Sequence, residues 1–279
     1  MKDQEYATPF TMLHAATLLG QKTRLAKFQN AIQRIVKSDD YVVDIGTGSG
    51  VLAIMAAKAG ARKVTGIDIS RESISYARKA AVMNGVGDRT DFVECHFSEF
   101  VGEEKADLVI CEMLSSIMLI EQQVAACNHA TRYVMKKSGL LIPQSATICI
   151  VPVESQLMTD RFSVIDLRFP SVVQTVSPEA SRDLADAKIL KELNFAESST
   201  TKVIDEVLDF RIVEDGTIHG FVGFFESILH ENIILKMEDG WKQLFLPLDP
   251  SVNVKNGDEI SVRIAYTPGE YNSLTVELQ

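Results

Sequence analysis

A chain of 279 residues with 46% hydrophobic side chains can bury a core in one large or two modest domains, so it needs no disulfide framework. The formal net charge of −10 disfavours nonspecific nucleic-acid binding and favours cationic partners. Cys95, Cys111, Cys127 and Cys149 form no CxxC pair, and the five histidines show no HxxxH or HExxH spacing, which argues against a metal site. MKDQEYATPF carries no basic-then-apolar leader and no apolar run reaches membrane-spanning length, so the expectation is a soluble, cytoplasmic protein with reduced thiols.

Phe10, Leu13, Leu18, Leu25, Phe28, Ile32 and Ile35 recur at roughly helical spacing and predict helices over 9–37. YVVDIG (41–46) is a short apolar run ending at glycine, the pattern of a buried strand. The Ala-rich VLAIMAAKAGA (51–61) predicts a helix stopped by Gly60, and KVTGIDIS (63–70) a second strand. A helix follows from Ser70, its N-cap, to near Gly85. TDFVEC, ADLVICE (106–112) and GLLIP (139–143) predict further strands, with helix over 117–134 between the last two. Strands and helices alternating at this spacing imply a parallel sheet covered on both faces.

After Pro143 the pattern becomes β-rich: SATICIVPV, KVIDEVLDFRIV, TIHGFVGFFESIL, NIILKM, QLFLPL, EISVRIAY and SLTVEL are separated by the turn signals EDG, LDPS, KNGD and TPGE. Helical character returns only over 178–194. The second half is expected to be an antiparallel sandwich or barrel.

DIGTGSG (44–50) lies between a predicted strand and a predicted helix. Its glycines permit a tight turn and close backbone approach to a ligand at a helix N-terminus. The spacing is G-x-G-x-G, not G-x-G-x-x-G, and no P-loop lysine follows. Asp68 ends the next strand, where an acid suits hydrogen bonds to both hydroxyls of a ribose.

VVDIGTGSGVLAIMAAKAGARKVTGIDIS resembles the nucleotide-binding half of class I S-adenosylmethionine-dependent methyltransferases, and AAKAGARKV resembles the protein arginine methyltransferases in particular. The resemblance continues through ICEMLSSIMLIEQQV, KKSGLLIPQSATICI and DGWKQLFLPLD, and upstream through LLGQKTRLAKFQNAI. It implies N-terminal cofactor-covering helices (1–37), a Rossmann-like domain (38–143) and a β-barrel-like domain (144–279). An arm, placed at 158–200, would join a head-to-tail homodimer. S-adenosylmethionine is the implied cofactor, with Arg24 on its methionine carboxylate and Asp44, Gly46, Gly48, Gly50, Asp68 and Ser98 as further cofactor-binding residues. Ser98 stands where the family often has an acid on the adenine amine. Tyr6 is matched to a family tyrosine, and Met12 lies near the covering helix. Met113 and Trp241 are the implied substrate-binding residues.

Glu112 and Glu121 match the family's paired catalytic glutamates. On one continuous helix nine residues turn through about 900°, which would put the two on opposite faces. They converge only if the chain turns between them, and Leu114-Ser115-Ser116 supplies residues for that turn. Two carboxylates suit a guanidinium, whose five donors form a fixed fork. They would draw its charge onto two nitrogens and leave the third more nucleophilic, with orientation beside the methyl donor lowering the barrier.

Two departures concern the acceptor side. The family's Thr-His-Trp is here Asp239-Gly240-Trp241, and the acid that partners its histidine is here Gln21, so the proton-relay pair is missing as a pair. The family's Trp-Met-Gly-Tyr is here Met113-Leu114-Ser115-Ser116. Three readings follow: an arginine N-methyltransferase acting on protein, peptide or free arginine; a methyltransferase for a small amine or guanidine; and a cofactor-binding scaffold with little catalysis.

Overall fold

The computed structural model describes residues 12–197 and 203–279, with side chains from residue 15 onward. Tyr6 and the side chain of Met12 lie outside the described residues. Helices α1 (Met12–Leu18) and α2 (Lys22–Ile35) lead into β1 (Tyr41–Ile45), α3 (Val51–Lys58), β2 (Lys63–Asp68), α4 (Arg71–Met83), β3 (Thr90–Glu94), β4 (Ala106–Cys111), α5 (Gln123–His129) and β5 (Met135–Ile142). The five strands form one parallel sheet in the order β3-β2-β1-β4-β5. All five residues of central β1 are buried, as a strand covered on both faces requires. Helix α2 buries Phe28, Ala31, Ile32 and Ile35 against this core, at the spacing of one helix face. The Ser70 hydroxyl caps α4 by accepting from Ser73 N–H at 3.2 Å.

The chain then passes into β6 (Ser145–Glu154), α6 (Gln156–Asp160), the short hairpin β7 (Ser163–Val164) and β8 (Leu167–Arg168), and β9 (Gln174–Val176). Next come β10 (Arg182–Asp183), β11 (Lys188–Asn194), β12 (Ile204–Arg211), β13 (Gly216–His230) and β14 (Ile233–Leu235). The last strands are β15 (Gln243–Val254), β16 (Glu259–Tyr266) and β17 (Thr275–Leu278). A seven-stranded sheet is built on β10-β6-β13-β15-β9, with β11 on β6 and β14 on β13, and β12-β16-β17 form a second sheet. These β13, β6, β15, β12 and β16 pairings are antiparallel. The fold is thus a parallel Rossmann-like layer followed by an antiparallel β-rich layer. One hydrophobic core runs through both, from Phe28 and Val42 to Phe221 and Ile264.

Two expectations fail locally. The predicted helix over 178–194 is a turn at Pro178–Ala180 followed by strands β10 and β11. Leu190 and Leu193, three apart, imitate helical spacing; a register shift between Ile189 and Lys191 lets both be buried from a strand paired with β6. The predicted helix over 117–134 begins as a turn at Ser116–Met118 and becomes α-helical only at Gln123, before a wider π-helical turn at Ala130–Val134. Of 158–200, the strands from Gln174 onward pair within the seven-stranded sheet, and the exposed apolar side chains cluster in the hairpin and its flanks.

Candidate active site

The glycine loop folds back on the end of β2. Gly46 and Thr47 N–H both donate to Ile67 O at 2.9 Å. Gly48 N–H donates to Asp68 Oδ2 at 2.9 Å, and Ser70 N–H to Asp68 Oδ1 at 2.8 Å. Loop and strand-end acid therefore form one rigid lip, and burial raises the Asp68 pKa. Gly46 has φ +71°, and a Cβ there would lie 3.0 Å from the Met113 side chain, which packs over the loop. Gly50 serves a different purpose: a Cβ would lie 2.8 Å from that of Ala77, so it lets α3 approach α4.

Asp44 sits inside the loop and off the cavity wall. Its Oδ2 accepts from Thr47 Oγ1 at 2.6 Å and from Ala53 N–H at 3.1 Å, and burial pushes its pKa up to about 7. Ser98 is also off the wall. Its hydroxyl is 2.7 Å from His96 Nδ1, and His96 and Phe97 form that part of the wall. Ser98 lies on the short turn Phe97–Glu99, which faces it toward its own cap residue.

The segment between the two glutamates turns as their spacing requires. Ile117 and Met118 have φ of +52° and +57°, a conformation costly for a β-branched side chain. Bonds to the β-rich layer hold it: Tyr266 OH donates to Ile117 O at 2.6 Å, Gly269 N–H to Met118 O at 2.9 Å, and the Ser116 hydroxyl to Lys242 O. Gly223 on β13 makes room, since a Cβ there would lie 2.5 Å from Ile117 Cγ2. Two side chains set the glutamates' backbone. Gln123, fully buried, accepts from Met113 N–H at 2.7 Å and donates to Cys111 O at 2.8 Å, clamping both neighbours of Glu112. Ser115 Oγ accepts from Ile120 and Glu121 N–H at 3.2 and 3.1 Å.

Arg24 on α2 lies between these parts. It forms an ion pair with Glu112, donates to Gln21 Oε1 at 2.9 Å, and stacks 4.0 Å over the Trp241 ring. Trp241 Nε1–H donates to Leu114 O at 2.9 Å, so this side chain braces both Arg24 and the hairpin. Burial lowers the Arg24 pKa to about 10, opposed by the charges of Glu121 and Asp239. Burial raises the Glu121 pKa to about 7, opposed by Arg24.

Arg24, Gly46, Gly48, Asp68, Glu112, Met113, Glu121 and Trp241 all line one cavity of about 770 Å³. The two glutamates thus open into the same space as the glycine loop. Thr175, Lys242 and Tyr271 complete the wall from the β-rich half. Sequence reasoning missed these three, the His96–Phe97 wall and the Gln123 and Ser115 clamps. Gln122 and Gln123 stand side by side in the sequence, and only the fold buries the second, where its amide must bond to backbone.

The two departures meet in space. Gln21 Nε2–H donates to Gly240 O at 3.2 Å, and a Cβ at Gly240 would lie 2.5 Å from Gln21 Cδ and Oε1. The glutamine fills the place a side chain at 240 would take.

The family model described as ribosomal protein L11 methyltransferase (PrmA) matches residues 23–166, just over half of the chain. An uncharacterised protein of Methanocaldococcus jannaschii is 39% identical over 142 residues, 50% of this chain and 54% of that one. Protein arginine N-methyltransferase PRMT10 of Oryza sativa subsp. japonica is 27% identical over 172 residues, 60% of this chain and 45% of its own length. The chain thus spans about half the length of these relatives. Protein arginine N-methyltransferase 6 of Danio rerio is 26% identical over 265 residues, covering 83% of this chain and 74% of that one. In fold, the chain matches a Trypanosoma brucei PRMT1 enzyme–prozyme heterotetrameric complex with AdoHcy at a TM-score of 0.78 and 22% identity. That match covers 94% of this chain and 92% of the other.

Proposed function

The chain belongs to the methyltransferase family described as ribosomal protein L11 methyltransferase (PrmA), with the build of the protein arginine methyltransferases, and from that premise we propose that it methylates a guanidinium nitrogen of arginine. Its cofactor is S-adenosylmethionine, which when bound supplies a methyl group already activated on sulfonium. The residues present fit that group. A Cβ at Gly46 would press on Met113, so glycine leaves the lip open, and Asp68 lines the cavity beside it. Asp68 would take the ribose hydroxyls. Arg24, which bonds Glu112 and Gln21 and stacks on Trp241, has five donors and would take the methionine carboxylate.

The observation that carries the reading is that Glu112 and Glu121, nine residues apart, open into one cavity with Asp68. Two carboxylates there hold a planar cation and polarise it away from the nitrogen that attacks. Glu121, with a pKa of about 7, is suited to take the proton that nitrogen loses.

The test uses cofactor labelled on its methyl group, offered with an Arg/Gly-rich peptide, free arginine or a metabolite extract. Label recovered as N-methylarginine after acid hydrolysis supports the reading; label on lysine or on an oxygen rejects it. A second reading, a small guanidine or amine acceptor, is favoured by Gln21 filling the place of a side chain at 240. Label confined to the metabolite extract would select it.

We further propose a homodimer joined through the β7–β8 hairpin, where Val164, Ile165, Leu167 and Phe169 are all exposed and Ile165 fully so. Light scattering of an Ile165→Asp/Phe169→Asp chain should read a monomer. The four free cysteines accord with a cytoplasmic location, and no helix among the described residues is long and apolar enough to cross a membrane.

A further inference from the structure

Three residues spaced three apart at the start of α2 touch three consecutive residues of the turn before β15. Gln21 bonds Gly240, Arg24 stacks on Trp241, and Lys27 Nζ lies 2.5 Å from Asp239 Oδ2. The third contact is unlike the other two. The Asp239 side chain is 1% exposed, while that of Lys27 is 31% exposed. Asp239 Oδ2 also accepts from Lys236 N–H at 2.9 Å, and Oδ1 has no hydrogen-bond partner among the described residues. A carboxylate is therefore buried at an incomplete complement of bonds, with Lys27 as its direct ion-pair partner and the Arg24 charge also acting on it. Burying an ion pair contributes little net stability compared with apolar packing, so stability alone is a poor account of its presence.

Its position gives a better one. Gln21 and Arg24 line the cavity, and Lys27 lies one turn beyond them, off its wall. The pair joins the helix that carries Arg24 to the turn that carries Trp241, across 212 residues of sequence. We propose that Lys27 and Asp239 form a latch that seats α2 on this turn and so fixes Arg24 over Trp241, in place to receive the cofactor's carboxylate. Both are positioning residues, acting through Arg24. The latch puts a tether at the place where Gln21 and Gly240 form only a 3.2 Å amide bond. This inference rests on Arg24 being the carboxylate binder.

Calorimetry with two ligands separates the two claims. S-adenosylhomocysteine carries the carboxylate, and 5′-methylthioadenosine is the same nucleoside thioether without it. Lys27→Met should weaken S-adenosylhomocysteine about tenfold, one charge-assisted contact misplaced, and leave methylthioadenosine within about twofold. Lys27→Arg, which keeps the cation, should restore binding. Because Lys27→Met strands a buried charge, Lys27→Met/Asp239→Asn is measured beside it and should show the same selective loss with the melting temperature recovered. Wild-type affinity for S-adenosylhomocysteine in the double variant, or equal loss of both ligands, overturns the latch. Arg24→Met supplies the control: selective loss there with none in the double variant overturns the latch alone. No selective loss in Arg24→Met removes the reading of Arg24 and the latch together.

Discussion

The wall that carries Asp68 comes from one run of chain, residues 44–68, whereas the wall that carries Glu112 and Glu121 is tied to pieces of chain far along the sequence, 149 residues away in the case of Tyr266. In the first, bonds run from Gly46, Thr47 and Gly48 to Ile67 and Asp68, all within one strand–helix–strand unit. In the second, Trp241 holds Leu114, Lys242 holds Ser116, and Tyr266 holds Ile117. A locally built wall changes only when its own residues change. A wall held from afar shifts with distant substitutions. The cofactor half and the acceptor half should therefore respond separately to mutation.

The largest separation is expected at the glutamates. Glu121→Gln should lower turnover by about 10²–10³-fold, as for loss of a transition-state electrostatic contact, and change S-adenosylhomocysteine affinity by under about threefold; Glu112→Gln should lower turnover as far and also change cofactor affinity modestly, because Arg24 is its ion-pair partner. Asp68→Ala should do the reverse. Calorimetry should show cofactor affinity falling about 10–100-fold, the size of charged hydrogen bonds worth roughly 1.5–3 kcal/mol, with turnover at saturating cofactor nearly kept. Equal loss of cofactor binding in all three variants would break the comparison.

A smaller effect tests the pair at the domain junction. Gly240→His alone meets the Gln21 amide and also puts a side chain on a backbone with φ of +132°, so it should cost roughly 1–3 kcal/mol of stability by denaturant melt. Gln21→Asp/Gly240→His shortens the obstructing side chain and offers the imidazole an acid. It should relieve the overlap but not the backbone strain, and raise turnover; a double variant as unstable as the single would show that the strain at 240, and not the overlap with Gln21, sets the cost.

The smallest effect concerns pH. Glu121 stands at about 7 in the fold against an ordinary 4.5, so the folded chain holds a proton that the unfolded chain releases between those values. Its contribution to stability is complete below about pH 4.5 and is lost as pH rises through about 7. Glu121→Gln should flatten the fall in melting temperature between pH 5 and 7.5, by about 2–4 °C per kcal/mol recovered. An unchanged slope would mean that Glu121 is not held in its protonated form. In the wild type, a cationic acceptor should bind more tightly as pH rises across the same interval.

Legibility followed the same division. The glycine loop and Asp68 could be read from the sequence because their bonds are local, and the buried strands because apolar runs bounded by glycine admit few alternatives. The convergence of Glu112 and Glu121 was readable as a necessity, since no helix brings residues nine apart together. How it is achieved was not readable, because Gly223, Tyr266 and Gln123 enter only through tertiary contact. Asp44 is bound inside the loop and Ser98 is turned to His96, two places where a family position does not specify which way a side chain faces. The strand over 188–194 was hidden because a register shift let two leucines three apart share one buried face.

An acceptor cation and the methyl donor are proposed to share the one cavity that Glu112, Glu121 and Asp68 line. That sharing is tested most directly by the affinity of an adenosine ligand whose 5′ position carries a guanidine on a short alkyl linker, against the same ligand ending in methyl. The account predicts at least about tenfold tighter binding for the guanidine form, since the second contact is made within one molecule, and loss of that advantage in Glu121→Gln. Equal affinity of the two ligands for the wild-type chain would contradict it.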